Sequence, residues 1–124
     1  GIISGKGTVD MFHPKVVRAT AGATGTIPFM NGDLSEVFDT LEGENWQVFL
    51  LDAGAGAKAL SDISSIETGV IVVGNEGHGI RDELMMANRS SVCIPSPVGQ
   101  QNVESLNAAI ATSIALYDLS AKVR

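Results

Sequence analysis

Two short stretches carry side chains whose types and spacing could do chemistry. Gly74-Asn75-Glu76-Gly77-His78-Gly79 directly follows the apolar run Val70-Ile71-Val72-Val73, so it reads as a loop at the carboxyl end of a buried strand. Open α/β sheets bind ligands at such strand ends, and glycines there let backbone amides and carbonyls touch a small molecule directly. Glu76 is the acid offered to that crevice. His78 reads as a base, a ligand or, more simply, a surface residue. The loop is not a phosphate loop, because it lacks the Lys-Ser/Thr ending of G-x-x-x-x-G-K-[ST]. Further on, Gln100-Gln101-Asn102-Val103-Glu104-Ser105-Leu106-Asn107 opens the last helix. Uncapped amides at a helix start favour polar or anionic groups, and Asn102 or Ser105 could act as the cap. Ser105 and Asn107 stand on either side of the apolar Leu106.

A third stretch, residues 52–59, follows a strand and satisfies G-x-G-x-x-A from Gly54. In the dinucleotide fingerprint such glycines admit a pyrophosphate to a helix N-terminus. Ser61-Asp62-Ile63-Ser64-Ser65 would cut any helix here very short, so a small-residue turn competes with a nicotinamide site. His13, His78 and Cys93 show no metal-ligand spacing.

The elements that must position these groups alternate along the chain. Pro14, with a cap before it, starts a helix. Residues 26–29 read as a short extended piece and residues 31–33 as a turn and cap. Leu34, Val37, Phe38 and Leu41 then mark one face of a helix ending near Gly43. Residues 46–51 and 69–73 are continuous apolar runs, suited to strands buried on both faces. Residues 80–88 are expected to be helical, residues 91–94 a third strand, and residues 104–122 the longest helix. Along that helix Leu106, Ala109, Ile110, Ser113, Ile114 and Tyr117 form one stripe. Strands alternating with helices imply a single α/β domain, residues 1–124, with a mostly parallel sheet and helices on both faces.

The chain has 124 residues, 44% hydrophobic and 18% charged, which is enough to bury roughly two-thirds of the unfolded surface. The single Cys93 cannot form an internal disulfide and suits a reducing, cytoplasmic setting. No apolar stretch approaches the ~20 residues of a membrane span. A net charge of −6 argues against strong nucleic-acid binding by this chain alone. The opening Gly1-Ile2-Ile3-Ser4, without Met, reads as the end of a strand, so an N-terminal part is expected to be missing.

Taken together, three segments resemble the SpoU (TrmH-type) family of RNA ribose 2′-O-methyltransferases, of the SPOUT superfamily. DMFHPKVVRATAGAT is similar to the family's D-P-x-N-P-K-V-V-R-x-S-x-G-A segment. VIVVGNEGHGI resembles its second motif, a strand followed by G-x-E-G-x-G-[ILM]. CIPSPVGQQNVESLNAAIATSIALYDL resembles its third, I-P-M-x-G-x-x-[ES]-S-L-N-V-S-V-A-x-[AG]-I. The resemblance implies a C-terminal deep trefoil knot whose loops hold S-adenosyl-L-methionine, a homodimer paired through the knot, and an rRNA or tRNA substrate. It implies cofactor contacts from Gly74, Ile94 and Leu106, with Gly79 and Ala53 lining the same pocket, and a catalytic crevice formed by Glu76, Ser105 and Asn107. Arg18 matches the K-V-V-R arginine, and its role is left open. The loop between Ile94 and Leu106 is longer than the family's usual pattern, and Ala108-Ala109-Ile110-Ala111 replaces V-S-V-A. The family's first motif, with an asparagine and an arginine acting on the 2′-hydroxyl, is absent and would lie upstream of Gly1. The chain alone is therefore expected to bind cofactor but to be weak or inactive as an enzyme. A nicotinamide-dependent enzyme and a catalytically silent knotted homodimer are the alternatives.

Overall fold

In the computed structural model, which describes residues 1–86, 89–96 and 106–124, every strand pairing between named strands is parallel. The chain divides into two compact units, residues 1–39 and 40–124.

In the first unit β1 (Ile2–Ser4) pairs with β2 (Phe29–Asn31) from Ile2↔Phe29 to Ser4↔Asn31. The extended piece expected at 26–29 lies slightly later. Pro28 has no amide to donate, so it contributes only its carbonyl, which accepts from Ile2 N at 2.8 Å, and β2 begins after it. Between the strands α1 (Pro14–Ala19) starts at its proline, capped by His13, whose Nδ1 accepts from Lys15 N at 3.2 Å. Asp33 caps α2 (Leu34–Gly43) by accepting from Ser35 N and Glu36 N. Along α2 the expected face is the covered one: Phe38 is buried, and Leu34, Val37 and Leu41 are half-buried.

The second unit holds a sheet of four strands in the order β4-β6-β3-β5. They are β3 (Gln47–Leu51), β4 (Lys58–Ala59), β5 (Gly69–Val73) and β6 (Ser90–Cys93). Val48, Phe49 and Leu50 of the central β3 are buried in succession, so both of its faces are covered, as its unbroken apolar run implies. Phe49, Leu60, Ile66 and Val92 pack with Ala115 and Leu119 of α3 (Ala108–Ser120), and Leu51, Ile71 and Ile94 add to that core.

Two expectations fail here. The helix expected over 80–88 is only a 3₁₀ turn at Asp82–Leu84 within the described residues; Arg81 before it is extended and gives no side-chain cap. Residues 87 and 88 lie outside the described residues. The stripe along α3 is also not the core face. Ile110, Ile114 and Tyr117 are 54%, 40% and 81% exposed, whereas Ala115 and Leu119, on the opposite side, are buried. α3 thus packs through Ala115 and Leu119 and leaves Ile110, Ile114 and Tyr117 outward. The first residues expected in this helix, 104 and 105, lie outside the described residues.

Candidate active site

Register aligns the strand ends. Leu51, the last residue of β3, is paired with Val73, the last of β5, and with Val92 of β6. Asp52, Gly74 and Ile94 therefore follow at the same edge of the sheet, with Asp52 in the middle. Its backbone amide donates to Val92 O at 3.0 Å, which keeps β3 and β6 in step past the last paired residues. Neighbouring strands are roughly 4.8 Å apart, so the chain segments at Gly74 and Ile94 flank Asp52 across about 10 Å.

After Gly74 the chain folds back on itself. Asn75 N donates to Gly79 O, Gly79 N donates to Asn75 O, and the Asn75 side-chain oxygen accepts from Gly77 N and His78 N. This closure explains two of the glycines. A Cβ on Gly74 would lie 2.3 Å from the Gly79 carbonyl carbon and 2.5 Å from Ile80 N, and Gly79 has φ +67°. The space beside Gly74 is thus filled by its own loop. The turn leaves Glu76 and His78 exposed at its tip.

The start of α3 reaches this loop. Asn107 caps the helix, its Oδ1 accepting from Ala109 N at 2.9 Å and from Ile110 N at 3.4 Å. That use of the oxygen turns the amide nitrogen outward, and Nδ2 donates to Glu76 Oε1 at 3.3 Å. A helix N-terminus, an amide and a carboxylate are thereby linked in series. The partial positive charge of the helix end acts on Glu76 through Asn107. Asn107 is the cap seen among the described residues; Asn102 and Ser105 lie outside them.

Among the expected site residues, Glu76 and Asn107 are in direct contact, and Gly74 and Ile94 share the sheet edge with them. Leu106 is 49% exposed beside Asn107. Ala53 is exposed just past the end of β3, and Gly79 closes the loop against Gly74. Ser105 lies outside the described residues. Arg18 is exposed on α1 of the other unit, its Nε donating to Pro14 O at 3.3 Å. The nicotinamide alternative loses its basis: residues 54–57 form a turn, Ala57 N donating to Gly54 O, that leads into β4 and a 3₁₀ turn at Leu60–Asp62. The fingerprint requires a helix N-terminus there to meet the pyrophosphate.

Residues 1–117 match the SpoU rRNA Methylase family. The chain belongs to that family. Among SpoU relatives, the 23S rRNA (guanosine(2553)-2′-O)-methyltransferase RlmP of Bacillus subtilis is 32% identical over 118 residues, covering 95% of this chain and 46% of that protein. An uncharacterised tRNA/rRNA methyltransferase of Mycobacterium tuberculosis is 34% identical over 110 residues, covering 86% of this chain and 32% of its own length. The AdoMet-bound rRNA methyltransferase from Sinorhizobium meliloti superposes with a TM-score of 0.82 at 31% identity, over 95% of this chain and 44% of that one. The SpoU chain described here thus spans less than half the length of these relatives. Among its described residues no helix is long and apolar enough to cross a membrane.

Asp52 was legible in the sequence only as the first residue of a small-residue turn. What separates it from the other acids is its position at the centre of the strand ends, which only the strand order reveals.

Proposed function

We propose that this chain is the cofactor-binding part of an RNA ribose 2′-O-methyltransferase that uses S-adenosyl-L-methionine. The observation that carries the reading is the Asn107–Glu76 hydrogen bond. It joins the start of the last helix to the loop after β5, at the sheet edge where Gly74 and Ile94 also lie. The residue types fit such a ligand: apolar Ile94 and Leu106 suit a nucleobase, backbone groups at Gly74 suit its polar edge, and the Glu76 carboxylate suits a hydroxyl. When bound, the cofactor supplies an electrophilic methyl group on a sulfonium.

In this reading Gly74, Ile94 and Leu106 hold the cofactor, with Gly79 and Ala53 beside them. Glu76, Ser105 and Asn107 orient the ribose whose 2′-hydroxyl receives the methyl group. Orientation alone can contribute on the order of 7–11 kcal/mol to such a transfer, and a weakly nucleophilic hydroxyl gains further from a nearby proton acceptor. The same reading includes one SpoU-type domain with a deep trefoil knot, a homodimer, a cytoplasmic setting and an rRNA or tRNA substrate. The apolar face of α3 left exposed at Ile110, Ile114 and Tyr117 supports the pairing of two copies.

Titration calorimetry with S-adenosylhomocysteine tests the reading on the 124-residue chain. Saturable heat at sub-millimolar ligand, abolished by Leu106→Arg, is the expected result; absence of heat from the folded wild type would reject it. RNA methylation by this chain alone is expected to be weak or undetectable.

A further inference from the structure

Three acids among the described residues are half-buried: Glu42, Asp52 and Asp118. Two of them have a cation. Glu42 meets Arg89 Nε at 2.5 Å, and Asp118 meets Lys122 Nζ at 2.5 Å. Asp52 has neither a cation nor a hydrogen-bond donor among the described residues. It is not explained by turn capping either, in contrast to Asp10 and Asp33, whose carboxylates accept from backbone amides at Phe12, Ser35 and Glu36. The Asp52 side chain instead lies over Gly54, where a Cβ would come within 2.9 Å of its Oδ2. Without a donor among the described residues, this half-buried carboxylate is left to water or to a ligand. It stands at the end of β3, with Gly74 on one side and Ile94 on the other.

We infer that the Asp52 carboxylate is a cofactor-binding group, accepting from the hydroxyls or offsetting the positive charge of a cationic nucleoside held at this sheet edge. The inference rests on the function proposed above and adds a residue that none of the three resembling motifs contains. It follows from the location of the charge. A ligand seated across the ends of β5, β3 and β6 passes over Asp52, and both a ribose diol and a sulfonium or ammonium group would supply what this carboxylate lacks.

Calorimetry of wild type and Asp52→Asn, each with S-adenosylmethionine and with S-adenosylhomocysteine, tests it. The substitution keeps shape and removes charge. Affinity for S-adenosylmethionine should fall by about ten- to a hundredfold, the range for a hydrogen bond to a charged group. If the neutral thioether product weakens equally, Asp52 serves a group common to both ligands. If only S-adenosylmethionine weakens, and more so at low salt, Asp52 faces the sulfonium. Thermal unfolding of the ligand-free Asp52→Asn chain should match or exceed that of wild type. Unchanged affinity for both ligands, with wild type binding normally, would overturn the inference and leave the proposed function standing. No binding by wild type would instead overturn that function.

Discussion

The Asn107 amide is oriented by its own helix, since its oxygen is engaged by two backbone amides and only its nitrogen is left for Glu76. Asn107→Asp keeps the capping oxygen and sets a like charge against Glu76. In the methyltransferase proposed above it should lower kcat on the order of a hundredfold, with little change in the melting temperature of the chain. Asn107→Ala removes the cap as well and should cost about 1 kcal/mol of stability by denaturant unfolding. At Gly74 the neighbours of an added Cβ are backbone atoms, which cannot swing aside. Gly74→Ala should therefore open the 74–79 loop, cost roughly 1–3 kcal/mol and abolish S-adenosylhomocysteine binding by calorimetry. At this scale the loop after a buried strand pointed to Glu76, and the resemblance to the SpoU motifs pointed to Glu76 and Asn107. The sequence could not show that one glycine of the loop serves another, because that needs the path of the folded loop.

Among the elements, α3 shows how far periodicity reaches. Its sequence is apolar or small on most sides, so the one stripe that the 3.6-residue repeat picks out is not thereby the side that meets the sheet. The choice goes to Ala115 and Leu119, where small and large residues fit the surface of Phe49 and Val92. Leu119→Ala should thus cost about 2–5 kcal/mol in denaturant unfolding. Ile110→Glu with Ile114→Glu, on the outer face, should leave the melting temperature nearly unchanged and, for the homodimer proposed above, shift the sedimentation coefficient from dimer to monomer. Arg89, just before β6, is a polar anchor. Arg89 is buried, donating to Glu42 and to Leu84 O at 3.1 Å. Arg89→Ala leaves a half-buried carboxylate behind and should destabilise the chain by about 3–5 kcal/mol.

Across the whole molecule, the positions of β3, β5 and β6 and the family were open to reading from the sequence, whereas β4 read only as part of a small-residue turn. Continuous β-branched runs between glycine turns determine where strands can lie, and β5 falls at residues 69–73 as its pattern implies. The resemblance of the segments around Arg18, Glu76 and Asn107 pointed to one family and its cofactor before any coordinates. Tertiary structure decided the rest, because each remaining feature depends on which distant segments become neighbours. Pairing of β3 with both β5 and β6 is what puts Asp52 between Gly74 and Ile94. Local periodicity carries no information about strand order, so it could neither place that carboxylate at the centre of the edge nor tell the covered side of α3 from the open one.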